Sequence, residues 1–548
     1  MSASSKKKLR KELESAQLTE KQLAEQKETK KFRTYTITFV AVLALVLVLA
    51  IGTISITAYN NSGIRERAAD ALTIGSHTLS NADLNYFYID TINREYSELY
   101  NMYGDYATWV LGFDPSVPLN EQNYEAEKTY ADYYVEKAIE DAKDIYAVYD
   151  AAVAANHTCT EEETAEITET IKGIEAAAKL SGVSFNRYLK AMYGNGANKA
   201  NFKNYMNVIT TVNSYQTKYH DSLTYDKAAI DAYDKEHFNE FSSFDYATFL
   251  VDSEDFLTGG TEKDGTTVYS EKEKDDARKA AEAVAKELVE SKANSVDSLD
   301  AAIKAHSKYK DNSSAKATKS EDAIYTSINE NIAQWLGEED RKIGDITYLE
   351  YKNTVTDDEG KETEVVEGYY IVIMLGRNDN HEKLVNVRHI LVKPTENSTN
   401  EDGTKYSSDE ELAEAKKQIE AIRDEWLAGE KTEESFGKLA IEKTQDDGSK
   451  ATGGLYEDVT PGSMVESFDE WIFDSSRKAG DYDIVKTEYG YHLMYFVDHC
   501  DETYREHMIT DTMREKDYNE WHDGIVDAVT ATVIDTSLVE LDLIFASN

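Results

Sequence analysis

Hydrophobic positions change their rhythm three times along this chain of 548 residues. The first regime is continuous: no charged residue occurs from Tyr35 to Ala58, and the centre from Phe39 to Ile51 (FVAVLALVLVLAI) is aliphatic almost throughout. About 20 such residues span a bilayer, so a transmembrane helix is predicted over 34–59. Lys27, Lys30, Lys31 and Arg33 immediately precede it. By the positive-inside rule, residues 1–33 form a cytoplasmic tail and everything after Asn60 lies outside, which makes the chain a single-pass protein of the cell membrane with an extracytoplasmic ectodomain. A cleaved signal peptide is the competing reading, although the apolar run and the segment before it are both long for one. No cysteine lies near the run, which excludes lipoprotein processing.

The second regime is helical. From about Ala68 the chain lacks alternating strand patterns and is rich in Ala, Tyr, Glu and Lys at helical spacing. Ser80 followed by Asp83 marks a helix start, and FNRYLKAMY from Phe185 runs to a terminating Gly194. Tyr86, Tyr88, Tyr130, Tyr133, Tyr134, Tyr146 and Tyr149 recur through these helices. Two readings stand: helix–helix core packing, or a groove for unfolded segments that uses their apolar area and hydroxyls.

The third regime is one of short apolar strands and helices, and it repeats. Trp335 is followed by Arg341-Lys342 and Gly344-Asp345, and Trp471 by Arg477-Lys478 and Gly480-Asp481. Each copy then reaches a Gly-Tyr pair and an apolar strand, GYYIVIML from Gly368 and GYHLMYFV from Gly490. Upstream, YATFLV corresponds to VRHILV, and each is followed by an Ala/Lys/Glu helix. Two α/β modules are therefore predicted, at 240–380 and 381–500. The first carries an extra acidic stretch around Asp357-Asp358-Glu359-Gly360 that reads as a hairpin. After 501 the helical composition returns, and this tail is expected to fold back on the N-terminal helices.

Charge narrows the function. The formal net charge is -45, although residues 1–33 hold ten Lys/Arg against five Asp/Glu. An ectodomain this acidic excludes a nucleic-acid partner, which needs clustered cations. Cys159 and Cys500 stand far apart without zinc or disulfide-framework spacing, leaving a long-range disulfide or two free thiols. There is no glycine-rich phosphate loop, no nucleophile elbow and no HExxH pattern, so neither metal nor cofactor is expected.

The segment 386–498 resembles the parvulin family of prolyl isomerases. VRHILVKP resembles its opening strand, FGKLAIEKTQDDGSKATGGLY the helix, loop and Gly-Gly turn, PGSMVESFDEWIFD a pocket segment, and VKTEYGYHLMYF the closing strand. The resemblance implies that His389 and His492 are the paired central histidines, that Asp447 lies beside the susceptible bond, and that Leu455, Met464 and Phe468 cup the proline ring. Tyr489, Tyr456 and Gln445 either line the pocket or pack its rim, and Tyr489 is counted with the binding residues. The family's usual Gly-Gly-Asp-Leu-Gly reads here Gly453-Gly454-Leu455-Tyr456, without the acid. In the first module Thr248 and Tyr370 stand at the histidine positions, so it keeps the scaffold without the site.

The whole is expected to be an α+β protein: cytoplasmic tail 1–33, transmembrane helix 34–59, helical chaperone-like domain 68–239, degenerate parvulin-like module 240–380, parvulin-type domain 381–500 and C-terminal helical tail 501–548. This order resembles SurA-like and PrsA-like foldases and implies isomerisation and chaperoning of unfolded polypeptides with Xaa-Pro bonds. The rival readings are a non-catalytic holdase and a surface scaffold.

Overall fold

The computed structural model describes residues 62–539, apart from 115–116, 264–265, 357–360, 397 and 400–404. The expected tail 1–33 and transmembrane helix 34–59 lie outside the described residues. Among the described residues, no helix is long and apolar enough to cross a membrane. The chain mixes a helical region with β-sheet modules, and it divides into two compact units. One is Tyr225–Asp511; the other comprises 62–224 and 512–539.

In the second of these, strands β1 (Asp70–Ile74) and β2 (His77–Ser80) form a hairpin that feeds helix α1 (Asn81–Tyr103). Ser80 caps α1: its hydroxyl accepts from Asp83 N–H at 3.2 Å while the Asp83 carboxylate accepts from Ser80 N–H at 3.0 Å. Reciprocal satisfaction of two orphan donors is what starts the helix here. Helices α2 (Tyr130–Ala154), α3 (Glu161–Leu180), α4 (Phe185–Tyr193) and α5 (Lys199–Ser222) follow. Their core holds Tyr86, Tyr88 and Tyr134, all fully buried. Of the two readings of the tyrosine-rich helices, packing is the one that applies to these three. The outward-facing aromatics are others: Tyr96, Tyr100, Tyr103, Tyr106 and Trp109, the last 83% exposed. The strand Ala531–Val533 pairs with β1, Trp521 stacks on Tyr219 at 3.9 Å, and His522 meets Asp144 at 2.8 Å, so the C-terminal residues complete this unit.

The other unit contains two four-stranded sheets. The first is built from β3 (Ser243–Asp252), β4 (Thr318–Ile324), β5 (Ile346–Thr356) and β6 (Glu362–Asn378), in the order β4-β3-β6-β5. Helices α6 (Glu271–Glu290), α7 (Val296–Ala305) and α8 (Glu330–Leu336) intervene in the chain. The second sheet is built from β7 (Lys383–Val392), β8 (Leu455–Val459), β9 (Tyr482–Thr487) and β10 (Gly490–Thr503), in the order β8-β7-β10-β9. Its helices are α9 (Asp409–Ala428), α10 (Glu433–Lys443) and α11 (Glu466–Ile472).

The two sheets share one strand order, and the repeated sequence has one structural meaning in both. Arg341 and Arg477 each lie 4.0 Å over the rings of Trp335 and Trp471 and donate Nε–H to the carbonyls of those same tryptophans, at 3.0 and 3.1 Å. Gly344 N–H then bonds Met374 O at 2.8 Å, and Gly480 N–H bonds Phe496 O at 2.9 Å. The repeated Trp, Arg and Gly thus form one clasp that ties helix to closing strand.

Along the chain the two compact units change over at 224/225 and 511/512. Arg505, 1% exposed, bonds Asp234 at 2.6 Å, Phe238 O at 2.5 Å and Asp379 O at 3.2 Å. A buried guanidinium needs all of its donors met, so the chain on both sides of the sheets is drawn into their unit.

Candidate active site

The site is set by the pleat of the second sheet. Strands β7 and β10 lie side by side at its centre, and alternation sends successive residues to opposite faces. Ile390, Val392 and Leu493 pack with α9 and α10, whereas Val385, Val387, Met494 and Phe496 pack with Phe468, Trp471 and Ile472 of α11. His389 and His492 project to the α11 face, each buried. Their Nδ1 atoms are 3.0 Å apart, and the Phe468 ring sits edge-on to both, 5.5 and 5.4 Å away.

A chain of hydrogen bonds runs through the pair. His389 Nε2 meets Asp446 Oδ2 at 3.1 Å, and the same oxygen accepts from Ser449 N–H at 3.0 Å, Ser449 O–H at 2.5 Å and Tyr456 O–H at 2.9 Å. At the other end His492 Nε2 meets Thr487 Oγ1 at 2.9 Å, and Thr487 Oγ1 accepts from Tyr489 N–H at 3.1 Å.

Burial works against charge on Asp446, but the hydrogen bond and charge of His389, with the bonds of Ser449 and Tyr456, outweigh it and hold the carboxyl well below the usual carboxylate range. Burial, reinforced by the charge of His389 and opposed by Asp446, pushes His492 down to about 3. Near neutral pH Asp446 is therefore an acceptor only and His492 a neutral imidazole. One arrangement of hydrogens serves both ends of the chain: Thr487 O–H donates to His492 Nε2, His492 Nδ1–H to His389 Nδ1, and His389 Nε2–H to Asp446, with the Ser449 hydroxyl 3.0 Å from the same nitrogen.

Gly453 and Gly454 form the turn into β8 with φ of 68° and 74°. At Gly454 a Cβ would come within 2.1 Å of the His389 carbonyl, and Gly454 O accepts His389 N–H at 2.8 Å. Only glycine fits so close an approach in the left-handed region. Arg388, buried on the opposite side of β7, donates from Nη1 to the carbonyls of Thr452 and Gly453 at 2.8 and 3.0 Å, with its Nε on Glu433 at 3.0 Å. The turn is thus held through its backbone, without the acid of the family motif.

The structure brings His389, His492, Met464 and Phe468 onto one face. It places Asp447 on the exposed side of the loop, and the carboxylate that meets His389 is that of its neighbour Asp446. Leu455 also lies elsewhere than expected. It is paired with Arg388, on the α9/α10 side of the sheet, whereas Tyr456 is paired with Val387 and stacks on His389 at 5.0 Å. One step along a strand reverses the face, so Tyr456 takes the place expected of Leu455. Tyr489 is 57% exposed. Gln445 is pinned to β7 by its N–H on Leu391 O at 2.9 Å, and its Oε1 accepts from Lys393 N–H, just past the strand, at 2.5 Å.

Sequence reasoning missed Arg388, Ser449 and Thr487. Only Arg388 carried a signal, a cation inside an otherwise apolar strand. In the first sheet Thr248 faces Val372 as His389 faces Met494, and Tyr370 faces Leu250 as His492 faces Leu391. The register therefore puts a threonine and a tyrosine where the second sheet has its histidines.

The family described as Rotamase, PPIC-type PPIase domain, matches residues 389–498. Residues 389–498 are a parvulin-type isomerase domain. The chain is similar in sequence to foldase proteins PrsA and to a chaperone SurA. It is 29% identical over 201 residues to the foldase protein PrsA of Geobacillus kaustophilus, covering 36% of this chain and 54% of that one. Against the chaperone SurA of Methylococcus capsulatus it is 27% identical over 181 residues, covering 32% of this chain and 36% of that one. The chain thus spans about half, or less, of the length of these relatives. Among solved structures, PrsA from Bacillus subtilis aligns over 73% of this chain and 87% of its own at 13% identity, with a TM-score of 0.27. Around the parvulin-type site, no group of three or more His, Cys, Asp or Glu able to hold a metal occurs among the described residues.

Proposed function

We propose that the chain is a membrane-anchored foldase that holds non-native polypeptides outside the membrane and isomerises their Xaa-Pro bonds at residues 389–498. The observation that carries this reading is the buried His389–His492 pair capped by Phe468, with the Asp446 carboxylate fixed at its end. A prolyl amide resists rotation by about 18–20 kcal/mol because twisting destroys its resonance. The twisted amide carries less charge on its carbonyl oxygen than the planar one and so loses less on leaving water. A dry cup that grips the ring favours the twisted form.

Met464 and Phe468, with Tyr456, are the wall of that cup in this reading. The histidines organise the site and transfer no proton, because His492 stays neutral and its partners fix both tautomers. Asp446, not Asp447, is the acidic residue beside the susceptible bond. The sheet at 243–378 acts as a second parvulin-like scaffold without an isomerase site. Residues 34–59 are the proposed anchor. The exposed row Tyr96, Tyr100, Tyr103, Tyr106 and Trp109 supports the holding role, because apolar aromatic area of this kind on a surface marks an interaction site.

The test is isomerisation of a blocked Ala-Leu-Pro-Phe tetrapeptide by the full chain. Acceleration by the parent, with most of it lost in Asp446→Ala and retained in Asp447→Ala, is expected. No acceleration by a folded parent chain refutes the isomerase reading.

A further inference from the structure

We infer that Tyr456 is a positioning residue of the isomerase site, holding Asp446 with its hydroxyl and His389 with its ring and so coupling the seat of the proline ring to the hydrogen-bonded chain beneath it. The inference rests on the reading of 389–498 as a prolyl isomerase and adds to it a residue that an aliphatic cup does not supply.

Three observations converge on this side chain. Strand pairing places Tyr456 opposite Val387 and so on the face of His389. Its ring lies over the His389 imidazole with 5.0 Å between centroids and 23° between planes, and it packs against the cluster that contains Phe468 and Met464. Its hydroxyl donates to Asp446 Oδ2 at 2.9 Å, the oxygen that also meets His389 Nε2 at 3.1 Å. Tyr456, Asp446 and His389 therefore close a triangle of two hydrogen bonds and one stacked contact.

The geometry gives the two halves of the side chain separate tasks. Without the ring, the imidazole loses the plane against which it is stacked. Without the hydroxyl, Oδ2 keeps Ser449 and His389 but loses its donor from β8, so the carboxylate is held less firmly against rotation about its Cβ–Cγ bond. Leucine at this position would fill the cup and do neither. A proline ring pressed into the cup bears on the same tyrosine that orients the acid, so seating the ring and placing the charge become one event. Pre-organisation of this kind acts on the rate more than on ground-state binding.

The experiment compares the full chain with Tyr456→Phe and Tyr456→Leu, using the blocked Ala-Leu-Pro-Phe tetrapeptide for kcat and KM separately. It also follows the His389 imidazole by nitrogen-15 NMR in each protein without peptide. Tyr456→Phe keeps the ring and is expected to lower kcat by about tenfold, the worth of roughly 1.4 kcal/mol, with KM within about twofold, the pattern for an interaction made mainly in the transition state. It is also expected to speed exchange of the His389 Nε2–H. Tyr456→Leu is expected to lose kcat to a similar extent and, in addition, to shift the His389 ring signals. Parent-like kcat in a folded Tyr456→Phe, or a loss confined to KM, overturns the inference. If the parent chain itself does not isomerise the peptide, the isomerase reading fails. The NMR arm then decides alone, with unchanged His389 exchange in Tyr456→Phe overturning the positioning role and faster exchange supporting it.

Discussion

His389 and His492 touch through like atoms, Nδ1 to Nδ1 at 3.0 Å, so one ring must donate and the other accept. The ends of the chain decide which. Asp446 accepts at His389 Nε2, and Thr487, already accepting from Tyr489 N–H, donates at His492 Nε2. Nitrogen-15 NMR of the full chain at pH 7 is expected to show hydrogen on Nε2 of His389 and on Nδ1 of His492. Thr487→Val leaves His492 Nε2 without its donor and is expected to mix the two tautomers. A His492 carrying its hydrogen on Nε2 in the parent contradicts this polarity.

The depressed pKa of His492 has a stability consequence. An unfolded histidine takes up a proton near pH 6.5, whereas His492 in the fold does so only near pH 3. Between these values the unfolded state binds more protons, so stability rises with pH and is lost as pH falls, by about 1.4 kcal/mol per pH unit at most. Amide hydrogen exchange in β10, followed from pH 6.5 to 4, is expected to show this slope. His492→Gln is expected to flatten it, and an equal slope in the variant speaks against a buried neutral imidazole.

How far the site was legible follows from which residues sit on periodic segments. His389 and His492 lie within apolar strands plain in the sequence, and Phe468 sits on a helix three residues ahead of the Trp471 that opens the clasp. Asp446 and Asp447 are adjacent acids on a loop, where no period says which one turns inward. Leu455 and Tyr456 are the corresponding ambiguity at the start of a strand: the face depends on where the pleat begins after two left-handed glycines. Ser449 and Thr487 act through a loop closure that only the folded chain brings about. That the two modules share one order of elements along the chain was legible because the Trp, Arg and Gly of the clasp recur in the same order in both; the order of strands within each sheet was not.

Arg388 provides a test of how the Gly-Gly turn is held. Leaving a buried acceptor without its donor costs about 1–3 kcal/mol. Arg388→Met is therefore expected to lower the thermal midpoint and the isomerase rate together, because the carbonyls of Thr452 and Gly453 lose their donor. Glu433 is partly exposed, and Glu433→Gln, which can still accept from Arg388, is expected to cost far less on both measures. Equal losses from the two variants would place the role of Arg388 in its charge and not in its grip on the turn.

Phe468→Ala empties the space above both histidines. Truncating a buried phenylalanine costs about 3–5 kcal/mol, so folding is checked by circular dichroism beside activity. In the folded fraction, the loss of peptide isomerisation is expected to exceed tenfold, about 1.4 kcal/mol of barrier. The comparison is Tyr370→Ala, at the His492 position of the first sheet, with activity expected to stay within about twofold.

The central claim is that one of the two sheets carries an isomerase site. Its most direct measurement is the refolding rate of a substrate protein limited by a single Xaa-Pro bond, in the presence of the full chain, of Asp446→Ala with Phe468→Ala, and of Thr248→Ala with Tyr370→Ala. Acceleration by the parent and by the first-sheet variant, with none by the folded second-sheet variant, is the predicted result. Acceleration that survives in the second-sheet variant and disappears in the first-sheet variant would contradict the account.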